Sequence, residues 1–210
     1  MQSLLYTLLL SLSLATPSAH AESTAPVKGK DFDVIKPISA APAQSGRVKV
    51  TEFFWYGCPH CAEFEPVLEA WAKREGNKID LERVPVPLSE ALIPHSRMYY
   101  TLAELGASEH LTSVLFNAIG KQRQPLLTPD DQAAFLEKYG IDKAHYLQMY
   151  NSPQVLAAVS QAARLIRDDR IAGVPTVVVA DKYETGPGYT GGLEATTTVL
   201  DYLVKHAGTS

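Results

Sequence analysis

From Val48 to Trp55 the chain runs through β-branched and aromatic residues, with Ser45-Gly46 before them and Tyr56-Gly57 after, which is the composition and punctuation of a β-strand. At Cys58 the period changes. Phe64, Val67, Leu68 and Trp71 recur at helical spacing, Pro59 stands one residue inside the predicted start, and Gly76 closes the segment. Pro66 falls inside this predicted helix and should kink it. Ile79–Val86 reads as the next strand, so the three segments make a β-α-β unit, right-handed when its strands are parallel.

Helical character then persists from Ser89 to about Asp169. Gly106, Gly120 and Gly140 suit helix ends, and Thr128-Pro129-Asp130 and Ser152-Pro153 suit capped starts. After it, Val174–Ala180 has the apolar run of a buried strand, Tyr183–Tyr189 can pair with it as a hairpin, and Leu193–His206 is an amphipathic helix. Upstream, Glu22–Lys30 reads as a flexible leader and Asp31–Pro37 as a short strand. The expected order is β-α-β, helical insert, β-β-α.

The N-terminus changes this picture only by adding a segment to be removed. Leu4–Leu14 is almost wholly apolar and is followed by Ala19-His20-Ala21, an A-x-A pattern that predicts export and cleavage after Ala21, although no Lys or Arg precedes it. The stretch is far shorter than the roughly 20 residues of a membrane span. With no cysteine near the cut, lipid modification is not expected. The domain expectation is a signal peptide at 1–21, a core domain from 22–88 and 170–210, and an inserted helical subdomain at 89–169. The 210 residues, 46% hydrophobic and 20% charged, suit a soluble globular protein of this organisation. The formal charge of −4 comes without basic tracts, which argues against nucleic acid or an anionic membrane as partner.

Chemistry concentrates in Cys58-Pro59-His60-Cys61, which holds both cysteines of the chain. The pair can form a disulfide with itself, half of a metal site, or an intermolecular link. A bridge across two residues constrains the unfolded chain little, so in an exported protein it is a poor staple and a credible reagent. Two intervening residues at a helix start suit a redox pair with one sulfur exposed and one shielded. Cys58, in the first turn, gains from unpaired N–H groups and the helix dipole and is the expected attacking sulfur; Cys61, one turn in, is the expected resolving sulfur. His60 can donate a hydrogen bond or charge to the Cys58 thiolate. A zinc site would need further ligands, yet His95, His110, His145 and His206 are scattered singly, so no metal is expected. On the strand, alternation puts Glu52 on the face of Val48, Val50 and Phe54, where a desolvated carboxyl could relay the proton of Cys61; the rival reading is an edge-strand glutamate reaching solvent. Trp55 and Tyr56 are either exposed apolar surface for clients or the packed end of the strand, and Trp71 is expected in the core.

The segment Glu52-Phe53-Phe54-Trp55-Tyr56-Gly57-Cys58-Pro59-His60-Cys61 resembles the active-site strand and helix of the DsbA family of thiol:disulfide interchange proteins. Gly173-Val174-Pro175-Thr176 is similar to that family's second signature, a loop whose cis-proline lies opposite the disulfide. The resemblance implies an α/β thioredoxin fold with an inserted helical subdomain, and an acidic residue at the position of Glu52. It implies an oxidase, because Pro-His between the cysteines is the dipeptide typical of these oxidases. If cis, Pro175 turns the Val174 backbone toward the disulfide, where an extended substrate can pair with it, the rival reading being an ordinary proline at a strand start; Pro59 and Trp55 are the further candidate substrate contacts, and the redox-active Cys58–Cys61 disulfide is expected to work without a cofactor. Newly exported, cysteine-containing proteins are the implied clients, a DsbB-type quinone-linked inner-membrane protein the implied reoxidant, and the periplasm the implied location of a monomer. The alternatives are an exported reductase or isomerase of the same fold, or a non-redox peptide-binding chaperone.

Overall fold

The computed structural model describes residues 25–35 and 46–207. The signal-peptide and cleavage expectations lie outside these residues. Strand β1 (Asp33–Val34) is followed by β2 (Val48–Phe54), helix α1 (Pro59–Glu75) and β3 (Ile79–Pro85). Five helices follow: α2 (Ile93–Glu104), α3 (Ser108–Leu115), α4 (Pro129–Leu136), α5 (Lys143–Tyr150) and α6 (Pro153–Asp168). The chain then returns through β4 (Thr176–Val179), β5 (Tyr183–Thr185), the single turn α7 (Pro187–Thr190) and α8 (Leu193–Ala207).

The five strands form one mixed sheet in the order β1-β5-β4-β2-β3. Strand β2 lies inside it, parallel to β3 and antiparallel to β4. Alternation along β2 divides two cores. Val50 packs with Phe64, Leu68 and Trp71 of α1 and Leu200 and Leu203 of α8, whereas Phe53 on the opposite face packs with Val84, Val178 and Ala162 of α6. A third core, built by Met98, Leu102, Leu115, Leu136 and Tyr146 of the helical stretch, extends to Phe54, Tyr56 and Cys61. The cysteine pair therefore sits where the helical stretch meets the end of β2. Trp71 is buried, and its indole N–H donates to Asp201 of α8 at 2.7 Å.

Three local expectations need correction. Gly120 does not end a helix: it lies inside a π-helical turn, Phe116–Lys121, where a Cβ would stand 3.0 Å from the Tyr56 carbonyl oxygen. Close approach explains the glycine there, whereas Gly106 and Gly140 do follow helices with φ of 67° and 84°. The hairpin strand ends at Thr185 and does not reach Tyr189, because the chain turns helical at Pro187. The flexible leader fails at its end: Asp31 N–H donates to the Val27 carbonyl at 2.8 Å and Gly29 N–H to that of Phe32 at 2.8 Å, a turn that delivers Phe32 against Tyr183 and Tyr202.

Candidate active site

Strand β2 aims Trp55-Tyr56-Gly57 out of the sheet, and Cys58 follows as the N-cap of α1 with an extended backbone, φ −83° and ψ 118°. Its N–H donates back to the Trp55 carbonyl at 3.0 Å, closing the turn, and its carbonyl accepts from Ala62 N–H at 3.1 Å, opening the helix. Pro59 at the first helical position needs no N–H partner there. Cys58 retains 8% exposure and Cys61 none, and both are free thiols. The contrast between the sulfurs is one of degree.

The Cys58 thiol is lowered to about 6, first by the hydrogen bond that Cys61 donates, against the opposing effect of burial, then by the backbone N–H groups of Cys61 and His60 and by the His60 charge. Cys61 is correspondingly pushed far up, by giving that hydrogen bond and by burial. The His60 side chain is 78% exposed, with Glu63 at 3.9 Å, and its charge is the smallest of the influences named.

Across the site, the Val174–Pro175 peptide bond is cis, and the Cys58 Sγ lies 3.6 Å from the Val174 carbonyl oxygen. Thr176 Oγ1 donates to the Gly173 carbonyl at 2.9 Å, pinning the loop. The segments 52–61 and 173–176, far apart in sequence, meet at this sulfur.

Glu52 is fully buried on the interior strand, which removes the solvent-reaching alternative. Its register partner on β3 is Arg83, whose Nε donates to Glu52 Oε2 at 3.1 Å. The same guanidinium reaches Glu65 at 3.1 Å and Glu69 at 2.9 Å, both on α1. One cation thus serves three carboxylates. Burial, reinforced by the charge of Glu65, pushes Glu52 up to about 8 in spite of Arg83. Burial also raises Glu65, whereas for the more exposed Glu69 burial is outweighed by hydrogen bonds from Arg83 and Lys73, and its carboxyl is lowered. Glu52 is among the charges that raise Cys61.

Trp55 is half-buried, and Tyr56 is fully buried against Phe54 and Phe116, so only Trp55 can present a surface. The Trp55 indole N–H donates to Nδ1 of His95 at 3.1 Å, and the other ring nitrogen of His95 meets the Pro125 carbonyl at 2.7 Å. Reading the sequence did not single out Arg83, Glu65, Glu69 or His95 for this site. The first three had a signal: Arg83 falls opposite Glu52 once β2 and β3 are paired in parallel, and Glu65 and Glu69 share one face of α1. For His95 the linear sequence carries none. Among the described residues no group of three or more His, Cys, Asp or Glu is placed to hold a metal ion.

A family model described as a DSBA-like thioredoxin domain matches residues 93–192. The thiol:disulfide interchange protein DsbA of Burkholderia cepacia is 53% identical over 205 residues, covering 98% of this chain and 97% of that protein. Its counterpart from Azotobacter vinelandii is 36% identical over 94% of each. Among solved structures, Pseudomonas aeruginosa DsbA superposes with a TM-score of 0.80 at 34% identity, covering 86% of this chain and 94% of that one. Oxidoreductase DsbA of Xylella fastidiosa gives 0.80 at 30% identity, covering 88% and 99%.

Proposed function

Because this chain belongs to the DsbA family of thiol:disulfide interchange proteins, with the thioredoxin-like fold of that family, we propose that Cys58 is the sulfur through which it passes a disulfide to its clients. The chain is a thiol:disulfide oxidoreductase, and its substrates are proteins with cysteines. A client thiolate attacks Sγ of Cys58 in the Cys58–Cys61 disulfide; the S–S bond breaks, and Cys61 departs and takes up a proton. A second client thiolate then attacks the client sulfur of the mixed disulfide and expels Cys58 as a thiolate. The client loses two electrons and gains a disulfide, and the protein is left as the dithiol.

The observation that carries this reading is the placement of the two sulfurs, Cys58 at the N-cap of α1 facing the Val174 carbonyl and Cys61 fully buried one turn further in, with the opposed shifts of the two thiols that follow from it. A Cys58 thiol lowered to about 6 is a good leaving group, and whatever holds its thiolate and not the disulfide favours the dithiol, so the disulfide is readily given away. Cys61, raised far above its ordinary value, takes the proton, and the buried Glu52 carboxyl is suited to relay it. His60 tunes the Cys58 thiolate. Val174 and Pro175 offer backbone for an extended client to pair with, flanked by Pro59 and Trp55.

In this reading residues 22–88 and 170–210 form the catalytic domain and 89–169 the insert, a division supported by the sheet leaving at Pro85 and resuming at Thr176. The cysteine pair acts without a cofactor. Family membership supports a periplasmic monomer, released by cleavage after Ala21 and reoxidised by a DsbB-type quinone-linked membrane protein.

The test is the redox equilibrium of residues 22–210 in glutathione buffers, with Cys61→Ser used to trap mixed disulfides on Cys58. A potential above about −180 mV supports the oxidase; one near about −270 mV, the thioredoxin level, makes the protein an exported reductase and overturns the reading.

A further inference from the structure

His95 lies in the first turn of α2, 3% exposed, between the active-site turn and the helical stretch. Its partners dictate its state. The Pro125 carbonyl can only accept, so Nε2 carries the proton; Nδ1 is then a lone pair and accepts from the Trp55 indole, which can only donate. The two ring planes lie within 24° of each other. Burial lowers His95, which keeps the neutral form that this arrangement needs.

Each end of the imidazole is anchored to something that bears on the site. At one end, the Trp55 indole covers Gly57 so closely that a Cβ there would overlap the ring, and the Trp55 carbonyl holds Cys58 N–H at 3.0 Å. At the other, Pro125 belongs to a segment with Arg123 and Leu126 at positive φ, 58° and 44°. That segment is clamped from beneath: Gln132 donates to the carbonyls of Leu126 at 2.7 Å and Pro94 at 3.1 Å, and its own oxygen accepts from the Tyr146 hydroxyl at 2.7 Å. Gln132 and Tyr146 are fully buried. The polar path from Tyr146 through Gln132 to the 122–127 segment, and from Pro125 through His95 to Trp55, has a partner at every step. A buried network so satisfied specifies one arrangement.

We propose that His95 is a positioning residue for disulfide exchange, holding the Trp55 indole against Gly57 and thereby coupling the helical stretch to the turn that presents Cys58. This rests on the reading of Cys58 as the reacting sulfur. Asn and Gln divide the two contacts, since an Asn oxygen can stand where Nδ1 does and a Gln amide nitrogen where Nε2 does. H95Q thus keeps the donor to Pro125 and releases Trp55, whereas H95N keeps the acceptor for Trp55.

Both variants are made in a Trp71→Phe background, so that Trp55 is the sole fluorophore of its kind, and compared with that parent. The readouts are Trp55 emission, thiolate absorbance of Cys58 against pH, and the glutathione equilibrium. In H95Q the emission shifts red, the Cys58 titration moves up, and the equilibrium constant for oxidising glutathione falls by up to about tenfold, the bound set by one hydrogen bond of ordinary net strength felt in one redox form only. H95N rescues all three. Equal effects in H95N and H95Q, or a changed emission with an unmoved titration, overturn the proposal and leave His95 a packing residue. If H95Q does not fold, Trp55→Phe removes the same bond from the other side, and an unmoved Cys58 titration there is equally fatal. Failure of the parent to oxidise glutathione strikes the oxidase reading alone, because the thiolate titration is read independently of it.

Discussion

Replacing Glu52 with Gln should make the protein more stable at alkaline pH and leave it little changed in acid. Glu52 is fully buried and raised from 4.5 to about 8, so the folded protein binds this proton more tightly than the unfolded chain. The stability it contributes is therefore fully present below pH 4.5 and is lost as pH rises through about 8. Integrating between those values gives a loss of about 3 kcal/mol by pH 7 and about 4 kcal/mol by pH 8. Glutamine has the shape of the protonated acid and cannot titrate, so the variant escapes this loss. It also removes a charge from beside Glu65, which acts in the same direction. The lost bond to Arg83 adds an offset, but one that varies little with pH while Glu69 still holds the guanidinium. With about 2 kcal/mol per molar urea for a protein of this size, the midpoints should separate by roughly 2 M between pH 4.5 and pH 8. The assay is urea unfolding of both proteins with the Cys58–Cys61 disulfide closed, so that no thiol titrates. A separation that stays constant across the range would refute the reasoning, showing Glu52 ionised throughout by its pairing with Arg83.

Cys61→Ala removes the thiol that is the largest cause of the lowered Cys58 value, so the thiolate absorbance of Cys58 should titrate above 6 and shift further than in His60→Leu, whose side chain is mostly exposed. The reverse ranking would show that the His60 charge controls the sulfur. Gly186→Ala places a methyl carbon 2.9 Å from the Pro175 carbonyl oxygen, so the backbone of the loop has to shift to admit it. Mixed-disulfide formation with a cysteine peptide should slow severalfold while the Cys58 titration is unmoved; an unaffected rate would show that the cis-proline loop does not guide the client.

Local patterning determined much of this protein. The change from strand composition to helical spacing at Cys58, the caps at Thr128 and Ser152, and the apolar run before Ala180 are written in neighbouring residues, and the structure places β2, α1, α4, α6 and β4 there. The cysteine pair was legible for the same reason, since its spacing and its place at a helix start are local facts. Even the inward face of Glu52 follows from alternation along one strand. What alternation could not convey is that β2 lies inside the sheet and that its register sets Arg83 opposite Glu52, because strand order and pairing arise only when distant segments meet. The ranking of forces on Cys58 was also a tertiary matter. Sequence proximity pointed to His60, but burial and direction decide electrostatic strength, and the folded chain turns His60 to solvent and the Cys61 thiol inward. His95 shows the limit most clearly. In the chain it is one of several isolated histidines, and its bond to Trp55 exists only because the helical stretch folds back onto the end of β2 and buries His95 beside Trp55.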